Sequence, residues 1–164
     1  MKDEVIKTLL ELGKKLGFEA RTEVGASGSA WVDVAWLDKR FRYGLEKVHM
    51  WKYPLVAVVG FEVEANAESK QVKGSVANLE NLGALLGVIV LTKENIDRMR
   101  RENKSDAKKP EGKLWEKLKK FVERWISEAR PKTRILIMTE DDVMNWAKLE
   151  GLEGTTGQGG PSAT

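Results

Sequence analysis

The stretch Leu55-Val56-Ala57-Val58-Val59-Gly60-Phe61-Glu62-Val63-Glu64 decides the fold. Its first half is apolar at successive positions, the composition of a central strand buried on both faces. Its end alternates, so Glu62 and Glu64 share one face while Phe61 and Val63 point to the other. Upstream, residues 30–37 read as a second strand, with Val32, Val34 and Trp36 on one face and Trp31, Asp33 and Ala35 on the other. A charged carboxylate in an apolar strand is costly unless something positive sits beside it. Three of them on two strands that can pair predict a site for a divalent cation. A sheet edge facing solvent would produce the same alternation; the apolar character of both strands favours the buried arrangement.

Working outward, residues 2–16 carry Val5, Leu9, Leu12 and Leu16 at helical spacing, with Gly17 as a stop. Residues 18–24 alternate loosely as a strand, and Gly25 to Gly28 is a turn. Residues 38–54 form a basic, aromatic connection before Pro54. A polar turn at 65–71 leads to a helix over 72–86, on Val76, Leu79, Leu82 and Leu86, with Gly87 as its stop. Val88 to Leu91 is the next buried strand, followed by a short polar helix over 93–103. Asn103 to Gly112 reads as a flexible loop. A helix over 112–129 presents Leu114, Leu118, Phe121 and Trp125 as its stripe, with Trp115, Val122 and Ile126 beside it. A strand at 134–138 and a helix at 140–149 close the order α, β, β, β, α, β, α, α, β, α. That order predicts an α/β class with a mixed central sheet flanked by helices. Residues 1–150 form one domain, and the tail 151–164, with five glycines in fourteen positions, is expected to be disordered.

Composition narrows the chemistry. The 164 residues suffice for one domain with a real core. The chain has no cysteine and one histidine, His49, which excludes disulfides, zinc-thiolate sites and multi-histidine sites. A metal would be held by oxygen, which favours Mg2+ or Mn2+. No apolar run is long enough to span a membrane, and the N-terminus lacks the pattern of a signal peptide. No membrane partner and a cytoplasmic location are therefore expected. The net charge is only +3, but residues 38–53 carry a net of +3 and residues 98–124 a net of +6, leaving the remainder acidic. Basic blocks beside an acidic centre suit a polyanion held near a metal, although a lysine-rich helix face is also ordinary solvated surface.

An Asp on one strand, an acidic-x-acidic motif ending the next, then a helix and a strand resembles the PD-(D/E)XK nuclease superfamily. That group includes many restriction endonucleases and archaeal Holliday-junction resolvases. The resemblance covers roughly residues 4–92, including the Gly17-Phe18 step and the stretch Lys73-Gly74-Ser75-Val76-Ala77-Asn78-Leu79. It implies a restriction endonuclease-like core, αβββαβ, with a C-terminal α/β extension. It also implies a Mg2+- or Mn2+-dependent endonuclease hydrolysing DNA phosphodiesters, with Asp33, Glu62 and the Val63 carbonyl as metal ligands. Glu64 stands where the family usually has lysine, and Val32 where it usually has proline. Lys73 is the candidate to supply the missing lysine. A further acidic residue on the first helix is Glu4 or Glu11, with the spacing to Phe18 favouring Glu4. Arg40, Arg42, Lys47 and Lys52 are candidate phosphate contacts, with Ser75 and Asn78 as secondary ones. Trp31, Tyr43, Trp51 and Tyr53 flank the site, suited either to stacking on bases or to packing the hairpin. Two symmetric cuts in a duplex would need a homodimer. Glu64 also motivates a second expectation, a non-catalytic nucleic-acid-binding module on the same fold. A third is a protein-interaction role for the basic helix.

Overall fold

A computed structural model of the chain describes residues 1–25, 31–40 and 56–152. The turn after Gly25, the basic connection with Arg42, Lys47 and Lys52, and the glycine-rich tail from residue 153 lie outside these residues. Among the described residues the sheet has five strands in the spatial order of the chain: β1 (Glu19–Val24), β2 (Val32–Leu37), β3 (Ala57–Glu64), β4 (Leu86–Leu91) and β5 (Arg134–Thr139). β1, β2 and β3 pair antiparallel as a meander, and β4 and β5 add in parallel beyond β3. A parallel neighbour needs a crossover, which α2 (Ser69–Leu82) supplies between β3 and β4. Helices α3 (Glu94–Glu102) and α4 (Glu111–Ala129) bring the chain to β5. α1 (Lys2–Lys15) opens the chain and α5 (Glu140–Leu149) ends the regular structure. The chain is thus a mixed α/β protein with helices on both faces of a mixed sheet, in the element order expected. No helix among the described residues is long and apolar enough to cross a membrane.

The period-2 pattern of the strands feeds two separate cores. One face of β2, β3 and β4 contributes Val34, Trp36, Val59, Phe61, Val63, Val88 and Val90, which pack under Val5, Leu9 and Leu12 of α1 and Val143 and Ala147 of α5. The other face contributes Ala35, Leu37, Ile89 and Leu91, which pack under Val72, Val76 and Leu79 of α2 and Leu114, Leu118 and Val122 of α4. On the first face Trp36 is the hub. Its ring stacks on Phe18 at 5.5 Å and meets Phe61 at 4.6 Å and Trp146 at 5.4 Å. Its indole N–H donates to the Leu9 carbonyl at 2.9 Å, so the buried polar edge is satisfied. Gly13 makes this approach feasible, because a Cβ there would lie 2.4 Å from Trp36 Nε1.

Three readings of the sequence are corrected. The helix expected at 72–86 runs from Ser69 to Leu82 and ends on Gly83 in the left-handed conformation, φ 70°. Leu86 continues the leucine spacing but begins β4, and Gly87 lies inside that strand, where a Cβ would meet Ile135 Cδ1 at 2.7 Å. The expected flexible loop at 103–112 is organised by Asp106, which is 2% exposed beneath the ammonium groups of Lys109 and Lys117, each 2.7 Å away. In α4 the buried residues are Leu114, Trp115, Leu118 and Val122, while Phe121 stands at the rim, 36% exposed.

Candidate functional site

Val34 pairs with Phe61 and Ala35 with Gly60, and continuing that register sets Asp33 across from Glu62. Both carboxylates therefore stand on the α2 side of the sheet, near one end of the β2–β3 pair. Two backbone bonds lock them together. The Asp33 N–H donates to Glu62 Oε2 at 3.3 Å, and the Val63 N–H donates to Asp33 Oδ2 at 2.7 Å. Val63, expected to offer its carbonyl, thus enters the site through its amide.

α2 supplies the next layer. The Asn78 side-chain amide donates to Glu62 Oε1 at 2.8 Å and to the Trp31 carbonyl at 3.3 Å. The Ser75 hydroxyl donates to Glu64 Oε1. Ser75 and Asn78, read from sequence as phosphate contacts, instead hold the two glutamates, one turn apart on the helix face that crosses the strand end. The chain beyond Glu64 is fixed by the fully buried Asn95. Its amide donates to the Glu64 carbonyl at 2.7 Å and to the Thr92 carbonyl at 3.1 Å, and its Oδ1 accepts from Ala67 N–H at 2.7 Å.

Glu62 is only 5% exposed. Burial pushes its carboxyl up to about 8, with the charges of Asp33 and Glu64 and a hydrogen bond to Asp33 acting in the same direction. The Asn78 hydrogen bond opposes this without cancelling it. Burial thus favours the protonated, neutral form of the Glu62 carboxyl. A cavity of about 390 Å3 opens beside it, lined by Glu23, Trp31, Val32 and Asp33. Glu23, at the end of β1, holds φ 51°, an uncommon conformation for a residue with a side chain.

The first helix meets this site through a residue that periodicity does not single out. Lys2 Nζ lies 3.1 Å from Asp33 Oδ2. Glu4 sits two residues on, about 200° around the helix, which turns it away from Asp33 and leaves it exposed. Glu11 lies about two and a half turns from Lys2 along α1. Lys73, the candidate to replace the motif lysine, is engaged elsewhere: its Nζ lies 2.7 Å from Glu128 on α4. The Arg40 guanidinium is held by Asp38 through two side-chain bonds, at 3.1 Å and 2.9 Å, with the side chain almost wholly exposed. Arg42, Lys47, Lys52, Tyr43, Trp51 and Tyr53 fall outside the described residues.

Among the described residues, no three acidic, histidine or cysteine side chains are gathered as a ready cation cage. Glu64 in particular is turned to Ser75. Asp33 and Glu62 nonetheless fit a hard divalent cation. They offer only oxygen, they are pinned by backbone amides, and their proximity leaves a negative charge that a proton neutralises. A cation of that kind would displace the proton. Comparison with protein-family models, with curated proteins and with solved structures finds no match for this chain.

Proposed function

We propose that this chain is a metal-dependent DNA nuclease with a PD-(D/E)XK-like core. The observation that carries the reading is the Asp33–Glu62 pair. Two carboxyls 29 positions apart in sequence face each other on adjacent strands, cross-bonded through Asp33 N–H and Val63 N–H, beside a cavity. The antiparallel meander followed by a helical crossover to parallel strands agrees with the core that the motif resemblance implies.

Asp33 and Glu62 would hold Mg2+ or Mn2+, which supplies the Lewis acidity that polarises a phosphodiester and activates water. The chain's own groups do the positioning. Asn78 and the Asp33 amide fix both oxygens of Glu62, and the Val63 amide fixes Asp33. Lys2 brings a positive charge to Asp33, the kind of group the motif lysine would contribute. Rigid strands hold the pair at a fixed separation, the requirement for an oriented reaction. The test is incubation of linear, branched and supercoiled DNA with Mg2+ or Mn2+. Cleavage by the wild type and its loss in Asp33→Asn and Glu62→Gln is the expected result; equal cleavage by wild type and variants contradicts it.

A second reading, a DNA-binding module without catalysis on the same fold, is favoured by one observation. The position of the motif lysine is filled by Glu64, which is bonded to Ser75, so no third acidic ligand joins the pair among the described residues. Such a protein binds DNA with equal affinity in the presence and absence of Mn2+ and takes up no ion.

A further inference from the structure

A basic surface lies away from the carboxylates, along α4, where Lys113, Lys117, Lys120 and Arg124 recur at spacings of four, three and four residues. At 1.5 Å per residue this row spans about 16 Å on one side of the helix. The opposite side of the same turns carries the buried Leu114, Leu118 and Val122. The row lines an open groove of about 460 Å3, with Lys109 at one end and Phe121 as an apolar floor, against a single acidic lining residue, Glu116.

Parts of this groove are held in place. Lys109 and Lys117 both reach the covered Asp106 carboxylate at 2.7 Å, which fixes their ammonium groups at the lip. The Arg124 guanidinium lies 5.3 Å from the Phe121 ring centre, and Phe121 stacks on Trp125 at 5.8 Å. Pinned cations lose less entropy on meeting an anion than free lysines do. The groove is also joined to the carboxylates. Arg124 Nε lies 3.9 Å from Glu128, Glu128 lies 2.7 Å from Lys73, and two residues along α2 from Lys73 is Ser75, which holds Glu64. Groove and carboxylates thus belong to one side of the sheet, joined through the α2–α4 contact.

We infer that this α4 groove binds the sugar–phosphate backbone of duplex DNA flanking the phosphodiester presented to Asp33 and Glu62. The inference rests on the nuclease reading for the choice of DNA over an acidic protein. The row of cations tracks phosphates and the Phe121 floor meets deoxyribose; neither reads bases, so binding is independent of sequence and falls steeply with salt.

The experiment uses the full chain, a fluorescein-labelled duplex of thirty base pairs, and EDTA so that no cleavage intervenes. The triple variant Lys113→Gln, Lys120→Gln, Arg124→Gln leaves the two lysines on Asp106 intact, and an unchanged melting temperature reports its folding. Neutralising three phosphate contacts weakens binding about tenfold or more at about 100 mM salt and lowers the slope of log affinity against log salt by about two to three. Unchanged affinity and slope overturn the inference. So does equal affinity of the wild type for the duplex and for polyglutamate of matched charge, which makes the groove an acidic-protein site. Asp33→Asn keeps the two readings apart. It reports on cleavage only, which it loses if the nuclease reading holds, while the triple variant reports on binding. If Asp33→Asn cleaves like the wild type, the nuclease reading fails, and the groove still stands or falls by the binding data alone.

Discussion

The two faces of the sheet solve different problems with the same strand pattern. Under α1 and α5, alternate residues of β2 and β3 are Val34, Trp36, Val59, Phe61 and Val63, closed by hydrocarbon and by the aromatic contacts of Trp36 with Phe18, Phe61 and Trp146. Under α2, the alternate residues at the end of the same strands are Asp33, Glu62 and Glu64, held by Ser75, Asn78 and backbone amides. The first arrangement gains free energy by removing apolar surface from water. The second buries a carboxyl that has no full counter-charge among the described residues, an arrangement that costs stability. Such a cost is the ground on which the proposed function is placed on the α2 side.

The sharpest way to break this contrast is at the hub. Trp36→Ala removes the ring that joins α1, α5 and β2, and should cost about 3–5 kcal/mol in urea unfolding; a loss under about 1 kcal/mol means that the Trp36 cluster does not stabilise the fold. Glu62→Gln should behave in the opposite way. Below about 4.5, the ordinary value of the carboxyl, folded and unfolded states are both protonated and the group has no effect on stability. Between about 4.5 and about 8 the unfolded state ionises first, so wild-type stability in EDTA falls as pH rises, by about 1.4 kcal/mol per unit at the steepest. Glu62→Gln should lack that fall and be the more stable protein at pH 8; parallel pH profiles contradict the assignment.

Smaller effects sharpen the picture. Gly13→Ala puts a methyl against the Trp36 indole and should cost about 1–3 kcal/mol. At the rim, Lys2→Met breaks a half-exposed ion pair with Asp33 and should change stability by less than about 1 kcal/mol. If Lys2→Met instead unfolds the protein, the Lys2–Asp33 pair belongs to the scaffold rather than to the site.

Much of the fold was legible because two periods dominate the sequence. The strand alternation around Asp33 and Glu62 and the helical stripe of Val5, Leu9 and Leu12 each report a face turned to the core. The end of α2 was misread because the leucine spacing runs on from Leu82 to Leu86 across a helix stop. Gly83 ends the helix through a backbone conformation, which a side-chain pattern does not encode. Asp106 sits among polar residues that read as a loop; only the return of Lys117 from the next helix makes it a structural centre. Alternation and pairing brought Asp33, Glu62 and Glu64 together, and the motif resemblance singled out Asp33 and Glu62. The partners of these carboxylates did not follow in this way. Ser75 and Asn78 read from sequence as phosphate contacts, and their bonds to Glu64 and Glu62 depend on the α2 crossover laying them over the strand ends. Lys2 has no periodic signature, and its meeting with Asp33 depends on where the first turn of α1 lands.

If Asp33 and Glu62 hold a divalent cation, the buried Glu62 carboxyl must give up its proton when the cation binds. Calorimetric titration of Mn2+ into the protein at pH 7, repeated in buffers of different ionisation enthalpy, tests it most directly. Saturable binding with release of about one proton per ion is expected, with both the binding and the proton release lost in Glu62→Gln. No binding heat with the wild type, or the same isotherm for Glu62→Gln, would contradict it.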